Sequence, residues 1–363
     1  MDARTVFSDQ VSSTAWTTVE TRGAWSAGNH TVTVTFTNDI QAPGCDRNLR
    51  LDTVSFTAST PPTPTPAPTP GNPLAGTSLW SDPTSNARQE MARRAGDPAA
   101  VADLRKIADQ PGTEWIGDWV ATGNVAQRVR GVVAAATSSG TVPVLALYAI
   151  PHRDCGSYSA GGLADAGSYA AWIRQVRDGL GSGRAVIVLE PDALAQLDCL
   201  PSDADRQSRT AILRDAVSVL ASAPGAVTYL DAGTSRWIGA DEMAHRLRDA
   251  GVASTRGFAL NVSNFGTTAA EDAFGDQLSS RLGGKTYVVD TSRNGNGPGD
   301  TWCNPQGRAL GARPTTATGH PGADAYLWIK RVGESDGDCG RGEPSAGTWW
   351  ADYAIGLAQR APW

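Results

Sequence analysis

From residue 142 onward the chain repeats one grammar, a short and largely apolar run followed by a longer amphipathic stretch. The runs are VPVLALYAI (142–150), AVIVLEPD (185–192), AVTYLDAG (226–233), GFALNVSN (257–264), KTYVVDTS (285–292) and AYLWIK (325–330). A segment apolar on both sides offers no face to water, so each run reads as a strand covered on both faces. Between them, SYAAWIRQVRDGLG sets Tyr169, Trp172, Ile173, Val176 and Leu180 on one helical face. DADRQSRTAILRDAVSVLASA does the same with Ile212, Leu213, Ala216, Val219 and Leu220. This alternation dictates an α/β fold with a parallel sheet between helices. About six to eight such units suit a closed (β/α) barrel better than an open sheet, and either places functional residues at the C-terminal strand ends.

A second constraint is the run PPTPTPAPTPGNP, residues 61–73. Alternating Pro and Thr favour extended polyproline II and bury nothing, so the run is a semi-rigid spacer. The expected organisation is therefore a small all-β segment over 1–58, a linker over 59–73 and one large domain over 74–363. In the first segment NHTVTVTFTND (29–39) alternates, with Val32, Val34 and Phe36 on one face, and LRLDTVSFTA continues the pattern. The formal net charge of −6 argues against nucleic acid or an anionic membrane as the main partner. No stretch is long and apolar enough to span a bilayer, and MDARTVFSDQ lacks the apolar run of a signal peptide. Of the five cysteines, Cys45 precedes the linker and Cys155, Cys199, Cys303 and Cys339 follow it, none at zinc-site spacing. The four allow three pairings; disulfides here imply an oxidising, extracellular setting, so secretion is expected from the cysteines and the linker.

Acids recur where the apolar runs end: Asp154, Glu190, Asp192, Asp231, Asp290, Glu334, Asp336 and Asp338. Carboxyls gathered at one rim raise one another's pKa, which keeps one of them protonated to serve a leaving oxygen. Helix N-caps and surface loops are the competing explanation for any single Asp after a strand. Twelve Trp add flat apolar faces of the kind that stack on sugar rings, although most Trp in any chain are core residues. Other chemistries lack their signatures. His152-Arg153-Asp154 has no nucleotide loop to go with it, NGNGPGD (294–300) lacks the Lys-Ser/Thr of a phosphate loop, the four His form no HExxH pair, and no GxSxG elbow occurs.

The segments RDCG (153–156), VLEPDAL (188–194), YLDAGTSRW (229–237), NVSNF (261–265), VDTSRNGNGP (289–298), WCNPQGRALG (302–311) and LWIKRVGESDG (327–337) resemble, in order, those of glycoside hydrolase family 6. The resemblance implies a distorted (β/α) barrel of seven to eight parallel strands that hydrolyses β-1,4-glucosidic bonds with inversion. It implies Asp192 as general acid, Asp154 as the neighbour raising its pKa, Asp336 as the base, acting on water directly or through another water, and Asp231 in support. Tyr148 would lie under the sugar at the cleavage point. Lys330 and Glu334 would hold the adjacent sugar, with Asn264 among the binding residues and Trp115, Trp237, Trp302 and Trp328 as stacking platforms. It also implies the sequential pairs Cys155–Cys199 and Cys303–Cys339. Inversion requires acid and base about 6.5–9.5 Å apart across a water, which ends of distant strands can supply. Thr234 departs from the family, where His is common, and implies a lost sugar contact. The short stretch between Asp336 and Trp349 implies an open cleft and endo action, with a cellobiohydrolase as the alternative.

FTNDIQAPGCDRNLRLDTVSF resembles the C-terminal half of calcium-dependent xylan-binding modules. Asn38, Asp39, Asp46 and Asn48 offer the hard oxygen ligands calcium prefers, while the usual first half is missing, so weak or no calcium and sugar binding is expected there. No cofactor is expected for catalysis, and a monomer acting on a β-1,4-glucan is the expected form. A xylanase, or a non-catalytic polysaccharide-binding protein, are the remaining alternatives; the second requires eroded carboxylates.

Overall fold

A computed structural model describes residues 71–363, with residues 33–37, 41–42 and 45–46 of the N-terminal segment. The chain divides into two units, Met1–Pro61 and Pro62–Trp363. In the first, Gln41–Ala42 pairs antiparallel with Cys45–Asp46. Residues 33–37, inside the run expected as a strand, carry no ladder, and Val34 is 52% exposed. Asn38, Asp39 and Asn48, the side chain of Asp46 and the LRLDTVSFTA run lie outside the described residues.

The second unit is a seven-stranded parallel sheet in sequential order. Its strands are β1 (Thr113–Gly117), β2 (Val144–Tyr148), β3 (Ala185–Leu189), β4 (Ala226–Asp231), β5 (Gly257–Leu260), β6 (Thr286–Asp290) and β7 (Ala323–Leu327). The helices are α1 (Asn86–Arg93), α2 (Pro98–Ala108), α3 (Thr122–Ser138), α4 (Ala166–Leu180), α5 (Asp203–Ala221), α6 (Ala240–Asp249), α7 (Thr268–Arg281) and α8 (Ala351–Gln359). Successive strand residues point to opposite faces. Val144, Ala146, Val186, Val188, Tyr229, Ala259 and Val288 accordingly meet in one apolar cluster inside the curled sheet. Leu145, Leu147, Ile187, Leu189, Leu230 and Phe258 pack outward in the cluster that holds Trp172 and Val176 of α4. Each such fully buried Val or Leu stabilises the fold by about 1.5–3 kcal/mol.

Five strands fall within apolar runs and β7 overlaps the sixth, starting two residues before it; β1 matches none, because TEWIG mixes polar and aromatic residues. It is an edge. Among the described residues no ladder joins β1 to β7, and side chains close the barrel instead. Thr113 Oγ1 donates to Trp328 O at 2.9 Å, Trp115 Nε1 to Ile329 O at 2.8 Å and Arg331 Nε to Thr113 O at 3.2 Å. The barrel is distorted, as the resemblance implies.

Side-chain helix caps come from Ser85, Asp97, Asp165, Ser202 and Thr267, so none of the strand-end acids is a cap. Cys155 pairs with Cys199, and Cys303 with Cys339. The first bond ties the loop after β2 to the segment after β3, and the second ties the loops after β6 and β7. Among the described residues no helix is long and apolar enough to cross a membrane.

Candidate active site

Three of the rim acids are staples that hold strand ends in register. Glu190 accepts from Ala149 N at 3.0 Å, Ile150 N at 3.1 Å and the Tyr169 hydroxyl at 2.9 Å, joining the ends of β2 and β3. Asp231 Oδ2 accepts from Asp192 N and Gly233 N, both at 2.9 Å, joining β3 to β4. Asp290 accepts from Ser263 N at 3.0 Å, Ser292 N at 2.9 Å, Ile329 N at 3.2 Å and Lys330 N at 2.9 Å, binding β5, β6 and β7 together. Burial outweighs these bonds. It raises Asp290 and pushes Glu190 and Asp231 up to about 7.

Those shifts predict a stability profile. A carboxyl raised on folding favours the fold most below its unfolded value near pH 4, and that contribution is lost as pH rises through about 7. Glu190 and Asp231 thus make Tm fall across this window, and Glu190→Gln should flatten the slope when melting is followed by calorimetry from about pH 4 to 8. An unchanged slope in Glu190→Gln would remove Glu190 from the account.

Asp192 sits on the stapled turn after β3, in left-handed backbone with φ 70°. Its N–H is taken by Asp231, while its Oδ1 is buried with no hydrogen-bond partner among the described residues. Burial, then the charges of Asp231 and Asp154, push its carboxyl well above the usual range, and Lys330 pulls weakly the other way. A carboxyl raised in this way, with an uncommitted oxygen, has the attributes of a general acid. Asp154, on the disulfide-tied loop, accepts from Ser159 N at 2.7 Å and from Gln196 Nε2 at 3.3 Å. Tyr148 ends β2, its phenol raised well above its ordinary value by burial first and then by the charges of Asp192 and Asp154.

Asp336 has different neighbours, cations instead of acids. The buried Arg293 guanidinium donates through Nη1 to both its oxygens at 2.9 Å, and Lys330 Nζ stands 3.5 Å away. Asn304 clasps it reciprocally, its N–H donating to Asp336 Oδ2 at 3.1 Å and its Oδ1 accepting from Asp336 N at 2.7 Å. Two cations and an amide N–H thus surround this carboxylate. Lys330 thus faces both Asp192 and Asp336, and links the two halves of the rim.

The remaining expected binding residues divide. Trp302 is 55% and Trp237 44% exposed, the latter packed over Gly233. Trp115 is half-buried and stands edge-on to Tyr148 at 5.3 Å. Asn264 is half-buried and donates to Val262 O at 2.9 Å. Glu334 pairs with Arg331 at 3.3 Å. Trp328 does not fit its expected role as a platform. It is 3% exposed, donates to Ala312 O and packs against Tyr353 and Leu357 of α8. The reason is alternation: Leu327 and Ile329 point into the barrel, so Trp328 between them points out. Thr234 is buried as well, its hydroxyl donating to buried Glu271 at 2.8 Å.

Residues 74–361 match the family model described as glycosyl hydrolases family 6. The chain belongs to that family. Residues 1–67 match a second model, a Ca-dependent, xylan-binding carbohydrate-binding module. The family 6 region is 42% identical over 292 residues to Endoglucanase A of Cellulomonas fimi, covering 80% of this chain and 63% of that protein. It is also 42% identical over 274 residues to Endoglucanase 1 of Streptomyces halstedii, covering 74% and 84%. Among solved structures, the Mycobacterium tuberculosis endoglucanase Cel6, in complex with methyl-cellobiosyl-4-deoxy-4-thio-β-D-cellobioside, superposes with a TM-score of 0.77 at 52% identity, covering 80% of this chain and 99% of that one. The cellobiohydrolase Cel6A of Chaetomium thermophilum gives 0.68 at 26% identity, with coverage of 80% and 99%.

In this family 6 chain, Arg153, Arg293 and Asn304 stand inside the quoted blocks without an expected role, and Asp118 lies outside them. Asp118 accepts from Gly162 N at 2.9 Å and from Arg153, whose guanidinium lies 4.5 Å over the Tyr148 ring. The available signal was that a buried carboxylate needs donors or a cation, and Arg293 stands inside a quoted block.

Proposed function

We propose that residues 74–363 form a secreted, inverting endo-β-1,4-glucanase acting on cellulose or related glucans, without a cofactor. The observation that carries this reading is the contrast between two carboxyls on one rim. Asp192 is pushed upward by burial and two neighbouring acids, whereas Asp336 lies against Arg293 and Lys330. Asp192 would protonate the glycosidic oxygen as the C1–O bond breaks. A water would attack C1 from the opposite face and lose its proton toward Asp336, directly or through a second water, since Arg293 and Asn304 already occupy that carboxylate. Tyr148 would bear on the ring at the cleavage point, held by Arg153 and Trp115. Trp115, Trp237, Trp302, Lys330, Glu334 and Asn264 would supply the sugar contacts, and Asp154 and Asp231 would sustain the donor. Residues 1–58, which match a Ca-dependent xylan-binding module, would bind calcium and sugar weakly or not at all, joined by the spacer over 59–73.

The relatives named endoglucanases support internal cleavage. One observation favours exo action as a second reading. Tyr158, on the loop after β2, packs against Gly337 and stands 6.0 Å from the Trp302 ring, which narrows the cleft beside Asp336. A product time course on cellohexaose with anomers followed by NMR, paired with viscometry of a soluble cellulose, separates them. The expected result is α-anomer first, with viscosity falling faster than reducing ends appear. A β-anomer first product would overturn inversion, and cellobiose release without loss of viscosity would install the exo reading.

A further inference from the structure

Trp119 is 57% exposed, more than any other tryptophan among the described residues, and no role assigned so far includes it. It follows β1 in a turn closed by Val120 N donating to Gly117 O at 3.0 Å. Its indole folds back onto Gly117, where a Cβ would collide with the six-membered ring. The buried Arg153 guanidinium lies over the same indole ring, 5.5 Å from its centroid, and over the Tyr148 ring at 4.5 Å. Arg153 is itself fixed by Asp118, by Tyr148 O at 2.8 Å and by Ser159 O at 2.9 Å. The exposed indole is therefore a rigid plate. It is backed by glycine and coupled through one immobile cation to the tyrosine at the cleavage point.

A pre-organised aromatic face loses little entropy on binding, and a pyranose ring presents the apolar C–H surface that such a face takes. Its place at the C-terminal end of β1, beside Tyr148 at the end of β2, continues the rim rather than opening a separate surface. We infer that Trp119 is an additional sugar-stacking site, which takes a β-1,4-glucan chain extending from the cleft past Arg153. This rests on the glucanase reading above and adds a subsite to it.

The test is calorimetric binding of cellohexaose and cellotriose in an Asp192→Asn background, where substrate is not consumed. Trp119→Ala should weaken cellohexaose about tenfold and leave the shorter sugar alone, since only the longer chain reaches past Arg153. Trp119→Phe should keep most of the affinity. Gly117→Ala, which keeps the indole but tilts it off its seat, should reproduce the length-dependent loss. Undiminished cellohexaose binding in Trp119→Ala overturns the inference. So does an equal loss for both sugars, which would mean that Trp119 only supports Arg153 and Tyr148. If the Asp192→Asn parent binds neither sugar, the glucanase reading itself falls and the subsite with it.

Discussion

Asp192→Asn should lower kcat on cellohexaose roughly a thousandfold, the scale of lost general acid catalysis, while the melting temperature holds. The fold should tolerate the change because Asp192 contributes its backbone N–H, and not its side chain, to the staple with Asp231. Its Oδ1 has no partner to lose among the described residues, and Asn accepts the left-handed backbone at φ 70° as readily as Asp. The loss should depend on the leaving group. A sugar alcohol departs only with a proton, whereas a dinitrophenolate departs without one, so a dinitrophenyl cellobioside should retain much of its rate. The pH profile carries the same information. A donor works while protonated, so activity falls as pH rises through the raised value of Asp192, and this falling limb should vanish in the variant. Unchanged turnover of cellohexaose, or equal losses for both leaving groups, would take the donor role from Asp192.

The parts of this chain that follow from local pattern were legible, and those that depend on long-range partners were not. Six strands and the buried face of α4 follow from periodicity, which each segment carries within itself. β1 was missed because an edge strand need not be apolar: Glu114 there pairs with Arg331 at 2.6 Å, a partner found more than two hundred residues away. The rim acids were visible as acids, but spacing could not sort Glu190 and Asp290, whose oxygens are consumed by backbone N–H groups, from Asp192, which has one oxygen unspent. Trp328 shows the converse. Its position between Leu327 and Ile329 already assigned it to the outer face by strand alternation, and the platform role implied by the family resemblance overrode that.

The second large effect lies in the pairing of the expected base Asp336 with Arg293, to which motif reading gave no role. Arg293→Met should destabilise the protein by about 3–5 kcal/mol, because removing one member of a buried ion pair strands the other. Arg293 is fully buried, with Nη1 shared by both Asp336 oxygens and Nη2 on Ser263 O. Lys330 at 3.5 Å and Asn304 N at 3.1 Å would still face the stranded carboxylate, which places the loss toward the lower end of that range. Asp336→Asn should also destabilise, since it turns an amide N–H toward a buried guanidinium. Combining the two removes both unpaired charges, so the double variant should recover much of the stability in denaturant titrations. It should recover none of the activity, because no carboxylate then remains to take the proton of the attacking water. This split distinguishes a pair kept for chemistry from one kept for the fold. Additive losses of stability in the double variant would mean that Arg293 acts through Ser263 and Phe265, whose ring lies 4.3 Å from the guanidinium, and not through Asp336.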